Sequence, residues 1–131
     1  MKSAAELHRL FEESLKKESF SGSPDELYQP IDYTIRQDGK RLRPLLVLMS
    51  CDLYGGDILD AVNPAIGIEL FHNFTLVHDD IMDKASIRRG KSTVYKKWDE
   101  NIAILSGDTM FALANKYLAR NTHPGLPVML E

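Results

Sequence analysis

Asp79, Asp80 and Asp83 close an apolar stretch of the chain, and in a helix the i, i+4 relation of Asp79 and Asp83 stacks their carboxylates on one face. Two carboxylates about 5 Å apart repel by roughly 3 kcal/mol at an effective dielectric of 20, and by under ~1 kcal/mol when fully hydrated. At the C-terminal end of a helix the negative macrodipole adds to that repulsion, so helix stability does not account for these residues. Oxygen ligands that leave room for water and phosphate suit magnesium, which takes one or two protein carboxylates and fills the rest of its shell with phosphate and solvent. A metal-bridged phosphate is the economical reading; a solvated acidic helix end fits the same three residues.

A phosphate also needs cations, and the sequence holds two basic clusters. Lys40, Arg41 and Arg43 lie between Gly39, which suits the end of one helix, and Pro44, which suits the start of the next. Backbone N–H groups at a helix N-terminus attract anions, and Arg offers a bidentate fork where Lys offers a point charge. Arg88, Arg89, Gly90 and Lys91 begin five residues beyond Asp83 and can close over a diphosphate held at the aspartates. Each cluster taken alone also reads as a solvated basic turn. His72 stands two helical turns before Asp79 on roughly the same face, either aimed at the same cavity or structural. His78, beside Asp79, receives no role.

The elements that must position these residues are helical throughout. Leu7, Leu10, Phe11 and Leu15 recur at helical spacing and predict an amphipathic helix ending near Phe20. Ser23, Pro24 and Glu26 have the makings of a capping box for a second helix, with Tyr28, Ile31 and Ile35 on its stripe, a kink or restart at Pro30 and an end at Asp38-Gly39. Leu45 to Tyr54, apolar on nearly all sides, predicts a central core helix closed by Gly55-Gly56. Asn63-Pro64 opens the long helix that runs through Ile66, Leu70, Phe71, Phe74 and Val77 to the aspartates. A loop over Lys84 to Ser92 leads to helix from Thr93 to Arg120, interrupted by Asn121 to Gly125, and Leu126 to Glu131 read as the start of another apolar helix. No strand pattern and no internal repeat is visible.

Composition narrows the class without choosing the chemistry. Within 131 residues, 27% charged and 44% hydrophobic content with 8 Gly and 6 Pro excludes disordered, collagen-like and low-complexity chains. A net charge of -3 gives no overall pull toward nucleic acid or anionic membranes. Cys51 is the single cysteine, which excludes a disulfide framework and a cysteine zinc site within the chain and suits a reducing cytosol. No stretch approaches the ~20 apolar residues a membrane span needs, and Met1 to Phe20 lack a signal-peptide core.

Gly39-Lys40-Arg41-Leu42-Arg43-Pro44, His72, the run Leu76 to Asp83 with its uninterrupted D-D-x-x-D, and Arg88-Arg89-Gly90 together resemble the trans-isoprenyl diphosphate synthase (polyprenyl synthetase) family in order and spacing. The likeness extends from about Tyr28 through Ser106-Gly107-Asp108 to the end of the chain. It implies an all-α helical bundle of the isoprenoid synthase type, with residues 1–131 as the N-terminal part of a single domain, a cytoplasmic homodimer, and condensation of isopentenyl diphosphate with an allylic diphosphate. By the same resemblance Lys40, Arg43, His72 and Arg89 hold the isopentenyl diphosphate, Arg88 contacts the allylic diphosphate, and Asp79 and Asp83, supported by Asp80, bind Mg2+ bridging to it. Magnesium and arginine would neutralise the departing diphosphate, an apolar cavity would keep water from the allylic cation, and the released diphosphate would take the final proton.

Each turn of the long helix away from Asp79 descends about 5.4 Å, comparable to one isoprene unit. Thr75 lies one turn down, and Phe74 and Phe71 are candidates for a floor that sets product length, or ordinary core phenylalanines. The family's second aspartate-rich motif is not found between Gly90 and Glu131, so the resemblance implies an incomplete N-terminal half that does not turn over alone. Three other readings stay open, one of them a helical scaffold with incidental charge clusters, which would show no magnesium-dependent diphosphate binding. A terpene cyclase would share the aspartates but have no use for Lys40, Arg43 and His72, and a non-catalytic partner subunit of a prenyl synthase would have no necessary use for the carboxylates.

Overall fold

In the computed structural model, which describes residues 1–120 and Val128, the chain is all-α apart from one minimal hairpin. The elements are α1 (Ala4–Lys17), α2 (Asp25–Ile35), α3 (Leu42–Leu53), α4 (Ile58–Met82), β1 (Ile87–Arg88), β2 (Lys91–Ser92), α5 (Val94–Lys97) and α6 (Glu100–Leu118). They form two compact units. The first holds Met1–Glu18, Lys40–Glu69 and the chain from Leu113; the second holds Ser19–Gly39 and Leu70–Ala112.

In the first unit α1 starts at a capping box, Ser3 Oγ accepting from the Glu6 N–H and Glu6 Oε2 accepting from the Ser3 N–H. These bonds hold the Glu6 carboxyl below its usual range, the backbone hydrogen bond contributing most. Leu7, Phe11 and Leu15 form the buried stripe of α1, in a core shared with Leu48, Ala65, Ile66 and Ala114. Where α4 meets the last turns of α6, a Cβ on Gly67 would lie 3.0 Å from the Ala114 carbonyl oxygen, so a side chain there would have to push its neighbours back by a few tenths of an ångström.

In the second unit α2 buries Pro30, Ile31, Thr34 and Ile35. Leu70 and Val77 of α4, Val94 of α5, and Ala103 and Met110 of α6 are also buried there. No helix among the described residues is long and apolar enough to cross a membrane.

Several sequence expectations are corrected. The first helix ends at Lys17, and the capping box belongs to Ser3, not Ser23: α2 begins at Asp25 with Pro24 at its N-cap and no side-chain cap. Pro30 does not restart α2, which runs through it unbroken, because its buried face continues through Ile31 and Ile35 and outweighs the lost backbone bond. α2 stops at Ile35 with Arg36 as its C-cap, before Gly39, and the left-handed residue of the junction is Arg41, at φ 49°.

α4 begins at Ile58, upstream of Asn63-Pro64, where the Asp57 carboxylate accepts from the Leu59 N–H. The helix expected from Thr93 breaks at Trp98, and Asp99 Oδ1 caps α6 through the Ile102 N–H at 2.7 Å. A two-stranded hairpin stands where no strand was expected. α3 is not central: it buries only Pro44 and Leu48 and leaves Leu42, Leu46 and Leu53 exposed. The expected interruption at Asn121 to Gly125 lies outside the described residues, as does the expected apolar helix after it except for Val128.

Candidate functional site

The acidic cluster forms the end of α4. The Asp83 N–H donates to the Asp79 carbonyl at 2.8 Å, so the helical turn is intact through the motif and the two side chains fall on one face. Lys84, at φ 52°, then closes the helix: its N–H reaches the Ile81 carbonyl and the Ala85 N–H reaches the Asp80 carbonyl. Asp79 and Asp83 are exposed, and neither carboxylate makes a hydrogen bond or salt bridge among the described residues. Asp80 differs. It is buried and accepts a bidentate grip from Arg88, Nε to Oδ2 at 2.9 Å and Nη2 to Oδ1 at 2.8 Å. That hydrogen bonding, with further attraction from Asp79 and Asp83, holds the Arg88 guanidinium pKa above its ordinary value despite partial burial.

Arg88 is delivered by the hairpin. Arg89 and Gly90 both take positive φ, 52° and 74°, as a two-residue turn matched to strand twist requires. Tyr33 on α2 ties the hairpin down by donating its hydroxyl to the Ser92 carbonyl at 2.8 Å, and Thr93 Oγ1 donates to the Ala85 carbonyl at 2.7 Å. Arg89 donates from Nη1 to Oδ1 of Asn73, a fully buried residue of α4. The backbone of Gly39 lies beside the same guanidinium, where an added Cβ would sit 3.5 Å from Cζ. Within the second unit, Gly39 and Arg89, some fifty residues apart in sequence, therefore lie side by side.

His72 is half-buried on α4, and its carbonyl accepts from Thr75 Oγ1 at 2.6 Å. Phe71 and Phe74 pack edge to face at 5.6 Å, and Phe111 of α6 completes an aromatic triad, 6.0 Å from Phe71 and 5.2 Å from Phe74. Phe111 carried no sequence signal, because its membership depends on where α6 crosses α4. His78 is half-buried, with Nε2 3.8 Å from Oδ1 of Asp108. Its ring packs on Phe74, and Nε2 lies 3.1 Å from the Ile104 carbonyl.

The remaining cations, Lys40 and Arg43, are exposed residues of the first unit on either side of the α3 N-terminus. Between them Arg41 turns inward. Its Nε donates to Glu12 on α1 and its Nη1 to Glu69 on α4, each at 2.8 Å. Burial opposes the charge, yet these bonds outweigh it and hold the guanidinium pKa above its ordinary value. Sequence reading counted Arg41 with its neighbours, since nothing local distinguishes an inward arginine from an outward one. Among the described residues no group of three or more His, Cys, Asp or Glu side chains is arranged to hold a metal ion unaided. The uncommitted pair Asp79 and Asp83 fits a cation that completes its shell with phosphate and water.

Comparison with known proteins gives one answer. The family model described as polyprenyl synthetase matches residues 24–130. A geranylgeranyl diphosphate synthase of Methanosarcina mazei is 43% identical over 97 residues, 74% of this chain and 30% of that protein. A dimethylallyltranstransferase of Fischerella ambigua is 42% identical over 118 residues, 88% of this chain and 34% of that protein. A crystal structure of a geranylgeranyl pyrophosphate synthase superposes with a TM-score of 0.92 at 47% identity, covering 98% of this chain and 39% of that one. The chain spans about a third of the length of the curated relatives it matches.

Proposed function

The chain belongs to the polyprenyl synthetase family, and from that premise we propose that it serves prenyl transfer, the condensation of isopentenyl diphosphate with an allylic diphosphate. The observation that carries this reading is the division of labour in the acidic cluster. Asp80 is occupied by Arg88, while Asp79 and Asp83 remain on one face without a hydrogen bond or salt bridge among the described residues. A merely solvated helix end has no need of an arginine that grips a buried middle carboxylate in bidentate fashion.

In this proposal Asp79 and Asp83 hold Mg2+, which when bound supplies charge neutralisation to the departing allylic diphosphate. Arg88, fixed by Asp80 at the edge of the cluster, adds a hydrogen-bond fork to the same group. Arg89, oriented by Asn73 and next to Gly39, holds the diphosphate of isopentenyl diphosphate together with His72, Lys40 and Arg43. Phe71, Phe74 and Phe111 exclude water from the allylic cation and, with Thr75, bear on how far the growing chain extends. A place within one isoprenoid synthase domain, a homodimer and a cytoplasmic setting complete the proposal, on family resemblance.

Calorimetric titration with isopentenyl diphosphate and with dimethylallyl diphosphate, each with and without Mg2+, tests it. Asp79→Ala and Asp83→Ala are expected to abolish the magnesium-dependent part of allylic binding, and Lys40→Ala to weaken isopentenyl diphosphate binding about ten-fold, the loss of one charge-assisted contact. A chain indifferent to isopentenyl diphosphate would sink the condensation reading in favour of cyclisation. A chain that binds neither diphosphate but alters the product length of a complete synthase would be a partner subunit.

A further inference from the structure

We infer that Arg41 is a positioning residue that fixes the exposed cations Lys40 and Arg43 in the orientation needed to grip a diphosphate, without touching the ligand itself; this rests on the role proposed above for those two cations. Three independent observations converge on it. Arg41 adopts the left-handed conformation, φ 49° and ψ 37°, which L side chains other than Asn and Asp rarely take. Its carbonyl accepts the Leu45 N–H at 3.0 Å, so this same residue is the N-cap from which α3 starts. Its side chain, 3% exposed, forks to carboxylates from two other helices, Glu12 of α1 and Glu69 of α4, and Glu69 is itself 3% exposed.

An unusual backbone conformation persists only where its surroundings over-determine it. Here the fork does so. The dihedrals of Arg41 set the chain direction between Lys40 and the first turn of α3, so pinning them points both flanking side chains outward before any ligand arrives. A lysine would hold the two carboxylates less rigidly, since it carries a point charge where Arg carries a planar fork. Releasing the pin would restore conformational freedom to at least one residue of the junction, and re-ordering it on binding should weaken affinity on the order of ten-fold.

The decisive variant is Glu69→Gln, which makes the net charge less negative while loosening the pin. Isothermal titration with isopentenyl diphosphate is expected to show affinity about ten-fold weaker than the parent, with magnesium-dependent binding of dimethylallyl diphosphate unchanged. Arg41→Lys should behave the same way. Tighter or unchanged isopentenyl diphosphate binding in Glu69→Gln would overturn the inference, because added positive charge alone favours an anion. Equal losses for both diphosphates would also overturn it, as they mark general loosening of the fold.

If circular dichroism shows Glu69→Gln unfolded, Glu12→Gln makes the same comparison on the more exposed branch, with an expected loss of about three-fold. No loss there overturns the inference. Lys40→Ala and Arg43→Ala separate the two claims. If neither weakens binding, the proposed role of those cations fails and takes this inference with it. If both weaken it and Glu69→Gln does not, only the positioning role of Arg41 fails.

Discussion

Arg88→Met strands the Asp80 carboxylate, and the size of the penalty follows from the asymmetry of the pair. The Asp80 side chain is 5% exposed and that of Arg88 34%. With charge centres about 4 Å apart, their attraction is about 4 kcal/mol at an effective dielectric of 20, and solvent around the arginine lowers this to about half. Removing Arg88 also deletes every hydrogen bond seen to the Asp80 carboxylate and leaves it beside Asp79 and Asp83. Breaking a fully buried pair costs about 3–5 kcal/mol, so this partly screened one is expected to cost about 2–3 kcal/mol. Asp80→Asn is milder, about 1 kcal/mol, because Arg88 already has a third of its surface in water and can rehydrate by turning outward. Urea unfolding followed by helical circular dichroism measures both, with shifted midpoints and unchanged slopes. The reasoning fails if Asp80→Asn proves as costly as Arg88→Met, or if Arg88→Met stays within about 0.5 kcal/mol of the parent.

Other consequences follow from single contacts. A Cβ at Gly107 would clash with Nε2 of His78, so Gly107→Ala should destabilise by about 1–3 kcal/mol; His78→Ala in the same chain should recover most of it in a double-mutant cycle, and simple additivity would refute the clash. Leu48→Ala should cost about 2–4 kcal/mol and Leu46→Ala under about 0.5 kcal/mol, since Leu48 is fully buried and Leu46 is 62% exposed on the same helix. Burial and the hydrogen bond it donates to Glu18 push the Tyr117 phenol up to about 12 from 10.0. The folded state therefore keeps a proton that the unfolded chain loses. The resulting stabilisation, about 1–2 kcal/mol after allowance for the partly exposed Glu18 and Arg120, is present below pH 10 and lost as pH rises through 12. An ultraviolet titration should show a late tyrosinate step that Tyr117→Phe removes.

What could be read from the sequence was whatever neighbouring residues decide between themselves. The i, i+4 relation of Asp79 and Asp83, the apolar period of α1, and the glycine that ends α3 are properties of a few consecutive residues, and the structure realises each of them. Helix boundaries were less legible, because Pro30 and Pro64 look like punctuation until packing shows that the helix on each side is worth more than the lost bond.

The division of roles among like residues was invisible. Asp79, Asp80 and Asp83 are one residue type within five positions, yet burial and Arg88 commit the middle one and leave the outer two on an exposed face. Arg41 and Arg43 stand two positions apart, and only the carboxylates of Glu12 and Glu69, remote in sequence, turn the first of them inward. Phe111 joins Phe71 and Phe74 for the same reason. Composition and spacing set which groups the chain can offer. Desolvation and contacts between distant segments, which exist only once the helices pack, decide which of those groups are held as scaffold and which are left exposed.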